Sequence, residues 1–241
     1  MCIRDSSSTI IAAGTVSGST RPDPSIPVTA SEMFVSTTGS DSGAGTIGDP
    51  YATLVHAMSV ATPGTTIWLR GGTYYDEEIY TTLDGTAADP IVIRSYNSED
   101  VVIDGAEASL ISTTWTDVQA EVYSHAWTGD PRNVCLKRIS DGEVFRVYPM
   151  ATVAEVTTQM SAGYTFAELN IDTAYCADGA NITIRVPAGS VIADYEVSVS
   201  KCNTAIYFDG ADNYYIDGIT FTHYGANDYS RVMYVNDSSD I

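Results

Sequence analysis

The sequence predicts an all-β fold in which short strands stack as the turns of a coil. Between Thr65 and Asp104, four apolar runs follow one another, and Gly, Asp, Asn or Pro residues typical of turns break each one. Much later, the pattern of the segment that begins at Ile206 returns in the segment that begins at Met233. Such a repeat is expected when each turn of a coil lays its strands on those of the turn before.

One helix is predicted ahead of these strands, over Pro50–Ala61. Its apolar residues have the spacing of a single helix face: Tyr51, Leu54, Val55 and Met58. Asp49 is suited to cap the first turn, and Pro50 suits the first helical position. We expect this helix to cover the first turn of the coil, and we expect the coil to be right-handed because parallel crossovers have that hand.

The order of these elements resembles the N-terminal cap and first turns of the right-handed parallel β-helix superfamily. The residues that carry the resemblance are FVSTTGSDSGAGTIGDPYATLVHAM, PGTTIWLRGGTYYDEEI and GTAADPIVIRSYNSEDVVIDG. Members with a similar opening include pectate lyases, the alginate lyase and chondroitinase B family, and some β-helical glycosidases. The resemblance implies a right-handed parallel β-helix with an N-terminal α-helical cap, and it implies action on polysaccharide.

The middle of the chain has a different pattern, which predicts an antiparallel β insertion. One hairpin joins Val134–Ile139 to Glu143–Tyr148, and a second joins Ala174–Ala177 to Asn181–Val186. A short helix is predicted over Thr152–Met160. The insertion either walls one side of a binding groove or acts as a plain buttress.

Four segments follow from these patterns. Residues 1–31 are interpreted as an adaptor scar, a signal remnant and a Pro-containing linker. Residues 32–109 hold the cap and first turns, 110–203 the insertion, and 204–241 further turns. Because the chain stops inside a repeat, the sequence predicts an N-terminal fragment of a longer protein.

Charge limits the partners. The chain has 31 acidic and 11 basic residues and a formal net charge of −20, which disfavours nucleic acid and anionic membranes. No stretch approaches the roughly 20 apolar residues that cross a bilayer. The expected partner is a polysaccharide, and the expected location is secreted or at the cell surface.

Metal and thiol chemistry is weakly indicated. No Cys/His spacing suggests zinc, and no metal site is predicted. Calcium is the one cofactor that the sequence allows, because the later turns are rich in oxygen ligands that serve equally as turn residues: Asp209, Asp212, Asp217, Asn236, Asp237 and Asp240. Cys135 and Cys176 either form a disulfide or pack as buried thiols.

The candidate substrate-binding residues lie in the loop that follows Phe221. They are His223, Tyr224, Asp228 and Arg231. An imidazole, an aromatic ring and a guanidinium on one loop suit an acidic sugar, although a structural polar loop fits the same residues. Trp127 and Tyr214 are further aromatic residues able to stack on sugar rings.

The catalytic residues are unknown from the sequence, because the resemblance places them on central turns that are only beginning where the chain ends. The favoured function is that of an exported polysaccharide lyase acting on acidic glycans, which needs a cation to neutralise a carboxylate and a base to take a proton. The alternatives are a β-helical glycoside hydrolase, which needs two separated carboxyl groups, and a non-catalytic glycan-binding or adhesin surface protein.

Overall fold

The structure is a computed structural model that describes residues 3–4, 10–11, 31–75, 77–111, 113–131, 133–225, 231–239 and 241. The predicted scar and linker therefore lie largely outside the described residues. Two compact units are present. One contains residues 106–201, and the other contains residues 31–105, 202–224 and 231–241.

The fold is mostly β. The helices and strands are, in chain order, β1 (Ile3–Arg4), β2 (Ile10–Ile11), β3 (Ser31–Val35), α1 (Leu54–Val60), β4 (Thr65–Leu69), β5 (Gly72–Tyr75), β6 (Ile79–Thr81), β7 (Ile91–Ser95), β8 (Val101–Asp104), β9 (Thr116–Gln119), β10 (Val122–Ala126), β11 (Val134–Arg138), β12 (Val144–Pro149), α2 (Val153–Thr158), β13 (Met160–Ser161), β14 (Tyr164–Thr165), β15 (Ala174–Ala177), β16 (Asn181–Arg185), β17 (Tyr195–Val199), β18 (Thr204–Asp209), β19 (Tyr214–Asp217), β20 (Ile219–Thr222) and β21 (Arg231–Asn236).

The unit that contains α1 is a coil of three parallel sheets. Their strand orders are β3-β4-β7-β19, β5-β8-β20 and β6-β18-β21, and every pair in them is parallel. The chain visits the three sheets in turn, through β4, β5 and β6, then β7, β8 and β18, then β19, β20 and β21. The predicted stack of short parallel strands is confirmed.

The register confirms the sequence repeat. Ile206 of β18 pairs with Met233 of β21 in a parallel ladder. Further along the same ladder, the Asn236 amide donates to Asp209 Oδ1 at 2.7 Å across a separation of 27 residues. Pairing in register places similar residues next to each other on neighbouring strands, and this is why the repeat is visible in the sequence.

Inward-facing residues of the coil form one apolar core. It includes the fully buried side chains Val35, Leu54, Ile67, Leu69, Ile91, Ile93, Ile206, Phe208 and Tyr214. Outward residues alternate with them along each strand, as the pleat requires. Tyr80, Tyr207 and Tyr234 form one such outward column, with neighbouring ring centroids 5.1 and 4.7 Å apart.

Helix α1 is shorter than predicted and begins later. Thr53, not Asp49, caps it by accepting a hydrogen bond from the His56 amide, while Asp49 accepts from the Ala44 amide in the preceding loop. Leu54, Ala57 and Met58 are its buried residues, and Val55 is exposed. The Tyr51 position precedes the helix, so the core-facing side is rotated from the predicted one.

Residues 106–201 contain a sheet of order β17-β11-β12-β15-β16-β10-β9. Both predicted hairpins form, β11 with β12 and β15 with β16. One pair departs from the antiparallel expectation: β12 and β15 are parallel, because α2 and the β13–β14 pair lie between them and carry the chain back to the same end. The predicted short helix is α2, which has a capping box between Thr152 and Glu155.

The described cysteines, Cys135, Cys176 and Cys202, are all buried. Cys135 and Cys176 form no disulfide with each other, so the disulfide alternative is not realised. Among the residues that the structure describes, no helix has the length and apolar character needed to cross a bilayer.

Candidate functional site

A row of outward side chains crosses the sheet β3-β4-β7-β19, and its last three members form the floor of a groove. Phe34, Trp68, Arg94 and Asp217 occupy one register position on four successive strands. Strand alternation explains the placement, because the flanking residues Ile67, Leu69 and Ile93 point into the core. The coil therefore brings an indole, a guanidinium and a carboxylate side by side.

Arg94 is the central residue of this row. Its guanidinium carbon lies 5.2 Å from the Trp68 ring centroid, and one terminal nitrogen donates to Asp217 Oδ2 at 2.8 Å. The side chain keeps 27% of its surface exposed, yet its Nε is buried and has no hydrogen-bond partner among the described residues. The exposed part of the side chain, and not the buried Nε, is therefore what the groove offers to a ligand.

One wall of the groove is the turn between β7 and β8. Asn97 and Ser98 have left-handed backbone conformations there, with φ of 49° and 57°. Tyr96 packs edge-on against Trp68 and lies under the Arg70 guanidinium. The chain thereby forms a tight polar rim above the floor.

Glu99 anchors that wall. Its carboxylate accepts from Arg70 Nε at 3.0 Å and from the Gly71 amide at 2.6 Å. The hydrogen bond from Arg70 holds the pKa of the Glu99 carboxyl below its ordinary value. Arg70 is thus paired with Glu99 in the wall, whereas Arg94, which is paired with Asp217, lines the groove itself.

The opposite wall follows Asp217. Gly218 has φ of 68°, and a Cβ there would lie 2.3 Å from Ser95 Oγ, so any other residue would strain the backbone and displace that hydroxyl. The groove between the walls has a volume of about 470 Å³. An aromatic face, a guanidinium and several hydrogen-bonding groups in one groove suit a sugar that carries a carboxylate.

The sequence-based candidates lie elsewhere. His223 follows β20 with φ of 54°, and its Nδ1 lies 2.9 Å from both carboxylate oxygens of Asp104. The described part of the chain provides no hydrogen-bond partner for its other ring nitrogen. Because Asp104 belongs to β8, this pair lies on the sheet β5-β8-β20 and not in the groove.

Tyr224 is not available to a substrate in this structure. Its side chain is buried, its hydroxyl donates to the Glu77 carbonyl at 2.7 Å, and burial raises the pKa of the phenol. Tyr214 is likewise buried, within the coil core, so both aromatic rings stabilise the fold. Trp127 is half-buried and packs in the unit of residues 106–201.

Two candidates cannot be placed. Asp228 lies outside the described residues. Arg231 begins β21 and pairs with Thr204 through the backbone, but its side chain lies outside the described part of the structure.

The carboxylates considered for calcium serve mainly local contacts. Asp209 accepts from Tyr80 and Asn236, Asp212 accepts from the Ser239 hydroxyl, and Asp217 pairs with Arg94. Within the described ranges, no three acidic, His or Cys side chains converge as a metal site. Asp240 lies outside those ranges.

Sequence reasoning missed the groove. The sequence feature that could have indicated the groove is the strand register, because Trp68 and Arg94 hold equivalent positions in neighbouring strands of similar sequence. Asp217 belongs to the same row, but residues 106–201 separate it from the others along the chain, so its alignment is hidden.

The comparisons with known proteins agree with this fold. Residues 33–126 match the family model described as Pel9A-like, right handed beta helix region. The predicted resemblance to the pectate-lyase-like right-handed β-helix superfamily is confirmed.

Two curated relatives match part of the chain. The pectate lyase PEL9 of Emericella nidulans is 37% identical over 127 residues, which cover 52% of this chain and 28% of that protein. The uncharacterized protein YwoF of Bacillus subtilis is 44% identical over 77 residues, which cover 30% of this chain and 15% of that one. The chain thus spans less than a third of either relative.

Two solved structures share the fold over most of the chain. The complex of XylC with xylose has a TM-score of 0.58 at 20% identity, covering 83% of this chain and 36% of that one. A glycoside hydrolase has a TM-score of 0.54 at 17% identity, covering 81% and 51%. Both likenesses agree with the parallel coil of the fold.

Proposed function

We propose that the protein containing this chain is an exported polysaccharide lyase acting on acidic glycans, and that the groove at Arg94 binds a uronate residue of its substrate. The relationship to a pectate lyase over 127 residues supports the class. The chain spans only 28% of that relative, so the proposal concerns the whole protein, with the groove as this chain's contribution.

The position of Arg94 carries the proposal. A uronate carboxylate that approaches the groove meets the exposed part of this guanidinium, which uses one terminal nitrogen to hold Asp217. Trp68 lies beside the guanidinium and offers an apolar surface to the sugar ring. Recognition of the charge and of the ring therefore occurs at adjacent points.

The net charge makes this local arrangement important. A chain of net charge −20 repels a polyanion at long range, so binding requires a short-range cationic contact or a bridging cation. Arg94 supplies the short-range cationic contact. The bridging cation would be calcium, held between the substrate and groove carboxylates such as Asp217. Comparing substrate binding with and without added calcium distinguishes these two routes.

The fold is consistent with separate roles for helix α1 and for residues 106–201. Helix α1 packs its buried face into the core at the first turn, as expected of a cap that covers the otherwise open end of the coil. Residues 106–201 have their own sheet and interrupt one turn between β8 and β18, as expected of an insertion. We keep the segment boundaries near residues 32, 110 and 204 as part of this proposal.

His223 is a second candidate contact. Asp104 orients the imidazole and leaves Nε2 to meet a sugar hydroxyl. The strained backbone at His223, with φ of 54°, is of the kind that often accompanies functional side chains.

The test is an assay of the protein that contains this chain on alginate, pectate, chondroitin sulfate and neutral xylan, with and without calcium. Absorbance reports unsaturated ends, and a separate assay reports new reducing ends. Unsaturated ends on an acidic glycan support the lyase. Reducing ends alone point to the hydrolase, and binding without either product points to a glycan-binding surface protein; both outcomes overturn the proposal.

A further inference from the structure

A second cavity lies in the unit of residues 106–201, apart from the groove described above. It has a volume of about 340 Å³ and is lined by Ile111, Thr113, Thr114, Trp115, Ile192, Ala193, Tyr195 and Val197. Small-ligand sites span roughly 300–1,000 Å³, so this cavity has room for a single sugar ring. All these residues belong to one compact unit.

The aromatic lining of the cavity is held in place. Trp115 is half-buried against the apolar cluster of this unit, and its ring centroid lies 5.7 Å from that of His125. Tyr195 is nearly buried, and its hydroxyl donates to Ser190 Oγ at 3.0 Å. Because both rings are positioned by neighbours, stacking a ligand on Trp115 costs little side-chain entropy.

Polar groups adjoin the indole. Thr113 Oγ1 lies 3.3 Å from the imidazole nitrogens of His125, and His125 Nδ1 lies 3.2 Å from the Thr114 carbonyl. These groups can exchange hydrogen bonds with hydroxyls at the edge of a ring that stacks on Trp115.

The charge of the lining selects the class of ligand. Among the described residues that line the cavity, none carries a charge. The lining itself offers no cationic side chain to a carboxylate, whereas a ring with hydroxyl groups and an apolar face would be matched.

We infer that this cavity is a binding site for a neutral sugar residue, with Trp115 as the stacking platform and Thr113 as a hydroxyl partner. The site is distinct from the uronate groove in both location and ligand charge. It would hold neutral stretches or side chains of a heteropolysaccharide, and it does not depend on whether the groove has lyase activity.

The test is isothermal titration calorimetry of the whole chain with xylotetraose and cellotetraose as neutral probes and tetragalacturonate as the acidic one. Trp115→Ala should weaken binding of a neutral probe by about tenfold, the value of one good aromatic contact. Trp127→Ala is the matched control, since Trp127 packs on the same cluster but does not line the cavity. It should leave the affinity within about twofold.

Thr113→Val tests the same site even if the Trp115→Ala variant misfolds, because it removes a hydroxyl with little change in shape. It should weaken the same neutral probe by about threefold or more, as loss of one hydrogen bond does. Failure of both neutral probes to bind the unaltered chain, or binding that neither Trp115→Ala nor Thr113→Val weakens, would overturn the inference.

Discussion

The carboxylate of Glu77 accepts a hydrogen bond from the backbone amide of Leu54 at 2.9 Å, and it accepts a second from Val55 at 3.0 Å. Glu77 is 2% exposed and lies between β5 and β6, so a residue of the coil satisfies the first amides of helix α1. This contact ties the helix to the coil in a way that the apolar pattern of the helix does not reveal.

Replacing Glu77 with Gln should loosen helix α1. The amide side chain has one acceptor oxygen instead of two and no charge at the helix N-terminus, so one backbone donor loses its partner. We expect a loss of stability on the order of 1–3 kcal/mol. Urea unfolding with amide exchange at Leu54 and Val55 measures it; unchanged exchange relative to the surface control Glu143→Gln would contradict the assignment.

Leu54→Asp should destabilise the coil by several kcal/mol, on the order of a buried-charge penalty. Leu54 is fully buried in the core, whereas its neighbour Val55 is 41% exposed. Val55→Asp is therefore a matched control and should change stability by no more than about 0.5 kcal/mol. Similar unfolding midpoints for the two variants would show that α1 does not seal the core.

Arg94→Lys should weaken trigalacturonate binding about tenfold, because a lysine cannot reproduce the planar donor array that meets a carboxylate. Binding of neutral xylotriose should stay unchanged. Lys137→Gln, which breaks an exposed ion pair with Glu196, serves as the charge control. Arg231→Ala tests the loop predicted from sequence by the same comparison. Equal weakening of both sugars by Arg94→Lys would exclude carboxylate recognition.

The contribution of Asp209 to stability should depend on pH, because the Tyr80 hydroxyl lowers the pKa of its carboxyl. Hydrogen bonds from the Tyr80 hydroxyl and then from Asn236 hold the pKa of Asp209 below its ordinary value of 3.8. Because the folded-state pKa is the lower one, the stabilisation is present above pH 3.8 and is lost as pH falls through the folded-state value.

Tyr80→Phe should therefore raise the pKa of Asp209 toward 3.8, as followed by the carboxyl chemical shift. Tyr207→Phe keeps the ring stack and the Tyr80 hydroxyl, so it is the control. A pKa that moves as much in the control as in Tyr80→Phe would assign the shift to the stack and not to the hydrogen bond.

His223→Ala should raise KM for the polysaccharide about two- to tenfold, as the loss of one hydrogen bond to a sugar hydroxyl would. Asp104→Asn keeps the imidazole but removes the carboxylate that orients it, so it should act in the same direction and less strongly. Steady-state kinetics on the protein that contains this chain, with unfolding temperature as a check, measures both. An unchanged KM with a lowered unfolding temperature would make the pair structural.

The fold was largely accessible from the sequence because the coil repeats. Strands that stack in register carry similar residues at similar positions, as Ile206 and Met233 do. The helix cap was misplaced because Asp49 and Thr53 are both good cap residues, and only the contact of Asp49 with Ala44 decides between them.

The candidate site was much less accessible. Trp68 and Asp217 come together only through the stacking of strands far apart in the chain, which no local pattern encodes. The prediction for Tyr224 was wrong because its local sequence is misleading. Tyr224 follows a strand in a polar segment, yet its ring packs in the core and its hydroxyl donates to the Glu77 carbonyl.

The amide of Cys202 donates to the carbonyl of Gly105 at 3.0 Å, so the coil resumes beside the residue where it was interrupted. During synthesis this geometry imposes an order. Strand β6 is made early, but its partner β18 leaves the ribosome only after residues 106–201. The backbone edge of β6 at Ile79 therefore stays unpaired until then, and the unit of residues 106–201 has time to fold first. Closing the coil afterwards pairs strands that are far apart in the chain, and such non-local pairing is slow and leaves strand edges exposed to aggregation.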